Sequence, residues 1–172
     1  MILLPTVKHT GTNYLISVLN REKSKLTLDR KNRIKNEDAD IIWSHFDHRM
    51  PHIVELSKRM KTVIPLRHPA RIAISWRKRS QSGWLDQWMR MCQVEAFHFP
   101  METKPFDELE EFVGFELNRH NDPINTIGDY IEKHVPVEAG YYLGAEWGDV
   151  MKALDTNVGR KYYSGPVCGF LE

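Results

Sequence analysis

Cysteine is scarce in this 172-residue sequence, and long apolar runs are missing from it. The two cysteines, Cys92 and Cys168, form no C-x-x-C pair, so the sequence indicates neither a disulfide framework nor a zinc knuckle. No apolar run approaches the roughly 20 residues that span a bilayer, and residues 1–5 lack the basic lead of a signal peptide. From these absences we expect a chain without a membrane span that stays in the cytoplasm.

Acidic residues are also absent from one long stretch, although the net charge of the chain is only +1. Residues 58–79 contain eight Lys and Arg residues and no Asp or Glu, whereas residues 102–138 contain ten acidic residues against three basic ones. A basic first half favours an anionic ligand. Two solvated faces of opposite charge are the alternative interpretation.

Three strand–loop–helix units in the first half of the chain predict the fold. The predicted strands are short apolar runs at residues 1–7, 40–43 and 62–66. The predicted helices have apolar residues at helical spacing and lie at residues 12–20, 52–60 and 69–81. Such units imply right-handed βαβ connections and a central parallel sheet. The polar residues 21–38 predict a surface loop or an exposed helix.

The second half of the chain is predicted to be rich in helices. Apolar residues at helical spacing recur at residues 84–95, 106–117, 124–131 and 149–154. Residues 135–143 predict a fourth strand, and the tail at residues 159–172 predicts a loop. Because a chain of this length fits one domain, we expect residues 1–172 to form a single α/β domain.

The turn at residues 8–14, Lys-His-Thr-Gly-Thr-Asn-Tyr, lies between the first predicted strand and the first predicted helix. A helix start offers unpaired N–H groups and the positive end of the dipole, which suit phosphate or sulfate. Gly11 allows close approach of the backbone, Thr10 and Thr12 supply hydroxyl groups, and Lys8 supplies a charge. The lysine precedes the glycine, so this is not a Walker A loop, and Mg²⁺-dependent NTP hydrolysis is disfavoured. A plain β–α connection is the alternative.

A second candidate site begins with Arg67, at the end of the third predicted strand. Open α/β sheets bind ligands at the carboxyl ends of their strands, and the planar guanidinium of Arg fits phosphate. Arg71 and Ser75 are four residues apart and share a helix face, so we expect both to point to one anion. An Arg that caps a strand and a Ser on an ordinary helix are the alternative.

A third candidate is the pair Ser44-His45, which follows the second predicted strand. The pKa of histidine lies near neutrality, which makes histidine the usual general base. Taken alone, the pair is also compatible with a loop histidine that has no chemical role.

Together, the three segments resemble the family of sulfotransferases that use 3′-phosphoadenosine 5′-phosphosulfate (PAPS). Residues 9–15 are similar to the phosphosulfate loop of that family, P-K-[ST]-G-T-[ST]-W-L. Arg67, Pro69 and Ser75 fit its 3′-phosphate signature, in which an Arg is followed eight residues later by a Ser. The Ser-His pair fits the [ST]-H pair that carries the family's base, 22 residues before the Arg. The resemblance covers about residues 1–79.

The resemblance implies a P-loop NTPase-like fold, a three-layer α/β/α sandwich around a central parallel sheet. It implies transfer of the sulfuryl group of PAPS to a hydroxyl or amine of a small-molecule or glycan acceptor, without a metal and without nucleic acid. His45 would act as general base, and Lys8 or His9 would stabilise the departing phosphate. The residues expected to bind the cofactor are Lys8, His9, Thr10, Gly11, Thr12, Asn13, Tyr14, Arg67, Arg71, Ser75, Arg160 and Lys161.

Several positions depart from the family pattern. His9 occupies the place of the family lysine, two residues before the glycine, and Lys8 lies one residue earlier, so both are candidates for that role. Tyr14 replaces the tryptophan that stacks on adenine and keeps an aromatic ring there. Trp43 stands where many members have a lysine, and the tail segment 159–161, Gly-Arg-Lys, is a permuted form of the family's R-K-G loop.

Three other functions are alternatives at this point. A small-molecule phosphotransferase (kinase) of the P-loop type needs a Mg²⁺ site and a lysine just after the loop glycine, where this chain has Thr12. A non-catalytic nucleotide- or polyanion-binding module would bind anions without depending on His45. A zinc site would use His45, His48 and His52 with Asp47, although a proline interrupts any single helix there.

Overall fold

The computed structural model describes residues 1–35, 38–119 and 146–163. The predicted helix at residues 124–131, the predicted strand at residues 135–143 and the end of the tail therefore lie outside the described residues. In the part of the chain that is described, no helix is long and apolar enough to cross a bilayer.

A central sheet of five parallel strands organises the molecule. In chain order, the strands of the described residues are β1 (Ile2–Thr6), β2 (Lys23–Lys25), β3 (Thr27–Leu28), β4 (Ile34–Lys35), β5 (Ile41–His45), β6 (Lys61–Leu66) and β7 (Phe97–Pro100). The spatial order in the sheet is β2-β5-β1-β6-β7, and β3 and β4 form a separate antiparallel pair. The first strand of the chain therefore lies in the middle of the sheet, between β5 and β6.

The helices begin at residues that favour a helix start. In chain order, those of the described residues are α1 (Thr12–Leu19), α2 (Met50–Ser57), α3 (Pro69–Arg77), α4 (Trp84–Met91), α5 (Phe106–Val113), α6 (Trp147–Leu154) and α7 (Asn157–Tyr163). Gly11 precedes α1 with a φ of 103°, a left-handed conformation that glycine adopts without strain. Before α3, the side chain of His68 accepts a hydrogen bond from the N–H of Ala70, and Pro69 occupies the first helical position.

Helices pack on both faces of the sheet. Successive residues of a strand point to opposite faces, and the two faces of β1 contribute to two different cores. Leu3 packs in a core with residues of α2, α3, α4 and α6, whereas Ile2 and Leu4 pack in a core with residues of α1 and α5. The architecture is α/β, with a parallel sheet flanked by helices, and is consistent with the predicted three-layer sandwich.

Three local predictions from the sequence are wrong. Residues 21–38, predicted as a loop or a helix, contain β2 and the β3–β4 pair. Strand β2 was not predicted because its sequence is Lys-Ser-Lys. It is an edge strand with both lysines exposed, so it has no apolar face that would indicate a strand. The strand β7 extends the sheet beside β6 without being indicated by the sequence pattern. Residues 159–163 of the predicted tail loop are helical and belong to α7.

The carboxyl ends of the three central strands meet at one edge of the sheet. Strand β1 ends at Thr6, β5 at His45 and β6 at Leu66, and Thr6 pairs in register with His45. The loops that follow these strands therefore converge on one place. Open α/β sheets bind their ligands at such an edge.

Candidate active site

A cavity of about 540 Å³ opens at this edge of the sheet. It brings together residues from all three segments that the sequence indicated. The predicted site residues that line it are Lys8, His9, Gly11, Thr12, Asn13, Tyr14, His45, Arg67 and Ser75. Its wall also contains Trp43, Arg79 and Gln81, which the sequence did not single out as binding residues.

The loop between β1 and α1 is held in a tight conformation. Gly11 has a positive φ, and a Cβ added there would lie 2.9 Å from Cε of Met101. His9 also has a positive φ, of 69°. Thr10 is buried, and its hydroxyl donates to the carbonyl of Val7 at 2.8 Å. The Thr10 hydroxyl therefore stabilises the loop and does not line the cavity of 540 Å³.

The backbone of Lys8 is anchored on both sides by side chains of other helices. Its N–H donates to Oε1 of Gln87 at 3.1 Å, and its carbonyl accepts from Nε1 of Trp76 at 3.0 Å. Nζ of Lys8 lies 5.7 Å from the centroid of the Trp76 ring. The two anchors come from α3 and α4, so the position of the lysine depends on tertiary contacts that local sequence does not reveal.

The imidazole of His9 is engaged by neighbouring side chains. Nε2 of His9 lies 3.0 Å from Oε1 of Gln81, and its ring meets the Trp76 ring edge-on at 6.0 Å between centroids. Its carbonyl accepts a hydrogen bond from Nη1 of Arg67 at 3.2 Å. His9 thus links the loop to the end of β6 and to the segment after α3.

His45 is half-buried at the end of β5. Its Nδ1 lies 3.0 Å from Oγ1 of Thr6, and its ring contacts the edge of Trp43 at 5.7 Å between centroids. Burial lowers the pKa of His45 below its usual 6.5, and the positive charge of Lys8 lowers it further, whereas a hydrogen bond with the backbone of Thr6 and the carboxylate of Asp47 oppose these effects. The imidazole is therefore neutral at neutral pH, which is the form that a general base requires.

Two arginines and a serine also line the cavity. Arg67 is half-buried, and its burial is the main effect that lowers its pKa. The hydroxyl oxygen of Ser75 accepts a hydrogen bond from Nη1 of Arg79 at 2.7 Å. Lys8, Arg67 and Arg79 form no ion pair within the described ranges, although the carboxylate of Glu102, in the adjoining cavity, acts electrostatically on Arg67. The cavity therefore has positive charge available for an anion.

Arg71 lines a second and smaller cavity of about 120 Å³. This cavity adjoins the first, because Gly11, Tyr14 and Arg67 border both. The side chain of Arg71 is 7% exposed, and burial lowers its pKa to about 10. Arg71 and Ser75 do lie on one helix, but they line different cavities, contrary to the expectation that both point to one anion.

The remaining two predicted cofactor contacts lie on α7. Nη2 of Arg160 forms an ion pair with Asp155 at 3.0 Å, and Nζ of Lys161 lies 5.1 Å from the centroid of the Tyr162 ring. Neither lines either of the two cavities. The residue of α7 that approaches them is Tyr163, whose hydroxyl donates to Oε2 of Glu102 at 3.2 Å.

The zinc alternative finds no support in the geometry. In residues 1–35, 38–119 and 146–163, no three His, Cys, Asp or Glu side chains are grouped so that they could hold a metal ion. Nδ1 of His48 lies 3.7 Å from Oδ1 of Asp47, which also pairs with Arg49. Asp47 is therefore engaged in a local ion-pair cluster.

No protein-family model matches the chain, and no curated protein is significantly similar to it. The functional assignment therefore depends on the chemistry of the site.

Proposed function

We propose that this protein is a PAPS-dependent sulfotransferase, which transfers a sulfuryl group to the hydroxyl or amine of a small-molecule or glycan acceptor. The observation that carries the proposal is one cavity lined by Lys8, Arg67 and Ser75 together with His45. These residues come from three separate segments, and each segment matches a different motif of the family. A neutral imidazole in one cavity with cationic side chains is the combination that proton removal beside an anionic donor requires.

The residues of the cavity fit a nucleotide with two anionic ends. We assign the phosphosulfate to the loop between β1 and α1, because this loop lines the cavity and ends at the start of α1, where no side chain caps the helix and the first N–H groups have no intrahelical partner. We assign the 3′-phosphate to Arg67 and Ser75, which line the same cavity. Tyr14 borders both cavities, and its ring suits stacking on the adenine. The same strand–loop–helix arrangement supports the P-loop NTPase-like classification of the fold.

The mechanism assigns the chemistry to a few side chains. PAPS supplies an activated sulfuryl group, and the attacking atom belongs to the acceptor. His45 takes the proton of that atom as the acceptor attacks. Lys8 and the N–H groups of the loop stabilise the negative charge that develops on the departing phosphate. Arg67 and Ser75 hold the nucleotide in register, which contributes through positioning.

The structure favours Lys8 over His9 for the cationic role. The charge of Lys8 is near enough to lower the pKa of His45. The ring of His9 is held by Gln81 and contacts Trp76. We therefore assign the stabilising charge to Lys8 and a structural role in the loop to His9.

Transfer from sulfur-labelled PAPS to a panel of phenols, amines and glycans tests the proposal. We expect label in at least one acceptor, and a loss of about 10²-fold or more in turnover in His45→Ala, because a general base supplies about 10²–10⁴-fold. His48→Ala is the matched control, since His48 is exposed in the same loop and lines neither cavity. Transfer of phosphate from ATP with Mg²⁺, without transfer from PAPS, would favour the phosphotransferase instead.

A further inference from the structure

Thr6 is a buried polar residue at the end of β1 that the mechanism above does not use. Its side chain is 0% exposed, and it pairs in register with His45 at the end of β5. Its hydroxyl oxygen lies 3.0 Å from Nδ1 of His45. A hydroxyl in this position contacts Nδ1 of the imidazole and leaves Nε2 for another partner.

The hydroxyl of Thr6 has three hydrogen-bond partners. It donates to the carbonyl of Ser44 at 3.4 Å, it accepts from the hydroxyl of Thr12 at 3.0 Å, and it contacts Nδ1 of His45. A threonine hydroxyl has one hydrogen and two acceptor lone pairs. A carbonyl only accepts, so the hydrogen bond to Ser44, which is the longest of the three, requires the single hydrogen of Thr6. In that arrangement the imidazole is the donor in the hydrogen bond between Nδ1 and Thr6. All three hydrogen bonds therefore coexist only if Nδ1 carries the hydrogen.

This allocation determines the state of the other ring nitrogen. In a neutral imidazole with hydrogen on Nδ1, Nε2 has the lone pair that can accept a proton. The contact with the Thr6 hydroxyl is made by Nδ1 and not by Nε2, and His45 lines the cavity. The tautomer that satisfies Thr6 is therefore the tautomer that leaves the lone pair of the ring on Nε2.

We propose that Thr6 is a positioning residue that holds His45 in the Nδ1–H tautomer, so that Nε2 acts as the general base. The role as base rests on the proposed function, whereas the tautomer does not. In the transfer step, the acceptor oxygen or nitrogen forms a bond to sulfur, the bond from sulfur to the phosphate oxygen breaks, and the acceptor proton moves to Nε2. Nδ1 keeps its hydrogen, and Thr6 continues to accept from it, so no proton passes to Thr6.

Charged groups from three other segments also face His45. Lys8 belongs to the loop after β1, Lys25 to β2 and Asp47 to the loop after β5. They influence the protonation of the ring as a whole. A charge in the surroundings does not select one ring nitrogen in the way that a directed hydrogen bond does. Replacing the Thr6 hydroxyl is therefore expected to change which ring nitrogen carries the hydrogen. Replacing a charged neighbour is expected to leave the tautomer unchanged.

Two-dimensional ¹H–¹⁵N NMR of the full chain tests the tautomer directly, with the His45 signals identified by their loss in His45→Ala. In the wild type above the pKa of His45, we expect Nδ1 to be the protonated nitrogen and Nε2 the unprotonated one. Thr6→Ser keeps the hydroxyl and should keep this pattern, whereas the isosteric Thr6→Val should lose the preference. Thr12→Val removes a neighbouring hydroxyl that is not needed for the allocation, so it should retain the pattern. A wild-type ring protonated on Nε2 would overturn the inference, even if Thr6→Val does not fold.

Kinetics give a second readout that separates this inference from the proposed function. We expect Thr6→Val to lower kcat about tenfold or more with an unchanged KM for PAPS, and Thr6→Ser to restore kcat. A kcat for Thr6→Val equal to that of the wild type would contradict the positioning role. If no acceptor receives a sulfuryl group from the wild type while the NMR pattern is as expected, the proposed function fails and the assignment of the tautomer to Thr6 stands.

Discussion

Arg67 donates a hydrogen bond from Nη1 to the carbonyl of His9 at 3.2 Å. This contact joins the end of β6 to the loop after β1, and so connects two of the segments on which the functional proposal is based. A guanidinium has five N–H donors, so one bond to the loop leaves others for a ligand in the cavity. Arg67 therefore both shapes the loop and presents positive charge to the cavity.

Replacing Arg67 should weaken binding of the product, 3′-phosphoadenosine 5′-phosphate. A hydrogen bond to a charged group contributes roughly 1.5–3 kcal/mol, so Arg67→Ala should raise the Kd by about tenfold to a hundredfold. Isothermal titration calorimetry measures this change. Arg77→Ala is the control, because Arg77 is exposed at the end of α3 and its replacement removes the same charge. Equal affinities in the Arg67→Ala variant and the wild type would refute the assignment of the 3′-phosphate.

The pH dependence of kcat should reflect the lowered pKa of His45. A protonated imidazole cannot accept a proton, so activity is lost as the pH falls through the pKa of His45, which lies below 6.5. Lys25 contributes to lowering this pKa. Lys25→Met should therefore move the acidic limb of the profile to higher pH. Lys23→Met, on the same edge strand, should leave the limb in place. An unmoved limb in Lys25→Met would argue against His45 as the group that titrates.

The parts of the fold that could be predicted from the sequence are those with a strong local signal. Strands β1, β5 and β6 are buried on both faces and are short apolar runs. The starts of α1 and α3 follow from Gly11 and Pro69. Strand β7 was missed, because its sequence, Phe-His-Phe-Pro, contains a histidine and a proline, and its place depends on pairing with β6 across the sheet.

The candidate site was predictable to the extent that its residues lie at the ends of central strands. The positions of Lys8, His45 and Arg67 follow from the parallel order of those strands. The contacts of Trp76 and Gln87 with the backbone of Lys8 were not predictable, because they join residues that are far apart in the chain. Ser75 and Arg71 line two different cavities, and Arg67 borders both. Helical spacing predicts that the two residues share a helix face, but it does not predict how other side chains divide the space beside that face.

Gly11→Ala should destabilise the fold and weaken nucleotide binding. The added Cβ would meet Cε of Met101 at 2.9 Å, in a backbone conformation with a φ of +103°. Gly83→Ala is the matched control, because Gly83 also precedes a helix with a positive φ, of +90°, but has nothing within 4 Å of the added atom. The backbone strain, which the two variants share, costs roughly 1–2 kcal/mol. The clash with Met101 occurs only in Gly11→Ala, so thermal unfolding should show a larger loss of stability for that variant. Equal losses of stability in the two variants would contradict the clash with Met101, and a nucleotide affinity unchanged by Gly11→Ala would contradict the assignment of an anion to this loop.

Mild acid should destabilise the fold through the histidine that caps α3. Burial, and to a smaller extent the charge of Arg71, lowers the pKa of His68 in the folded state to about 4. The unfolded chain binds a proton near pH 6.5, so the free energy of unfolding falls as the pH decreases from 6.5 towards 4 and is unaffected above 6.5. The loss contributed by His68 reaches roughly 3 kcal/mol at the acidic end of this range.

Urea unfolding of the wild type and His68→Asn across this pH range measures the effect. Asn does not titrate and is a favourable residue before a helix, so the variant should lose less stability in acid. His98 is also buried, and its pKa is also lowered to about 4, so some pH dependence should persist in His68→Asn and decrease further in a variant that also carries His98→Asn. An acid dependence of the same size in all three proteins would exclude these histidines as its source.

Binding of 3′-phosphoadenosine 5′-phosphate, compared with ADP and AMP in calorimetric titrations without Mg²⁺, tests the central claim most directly. Arg67 and Ser75 are assigned to the 3′-phosphate, so we expect this ligand to bind at least about tenfold more tightly than the other two, a difference of about 1.4 kcal/mol. Equal affinity for the three nucleotides, or binding only of ATP in the presence of Mg²⁺, would contradict the assignment of a sulfotransferase site.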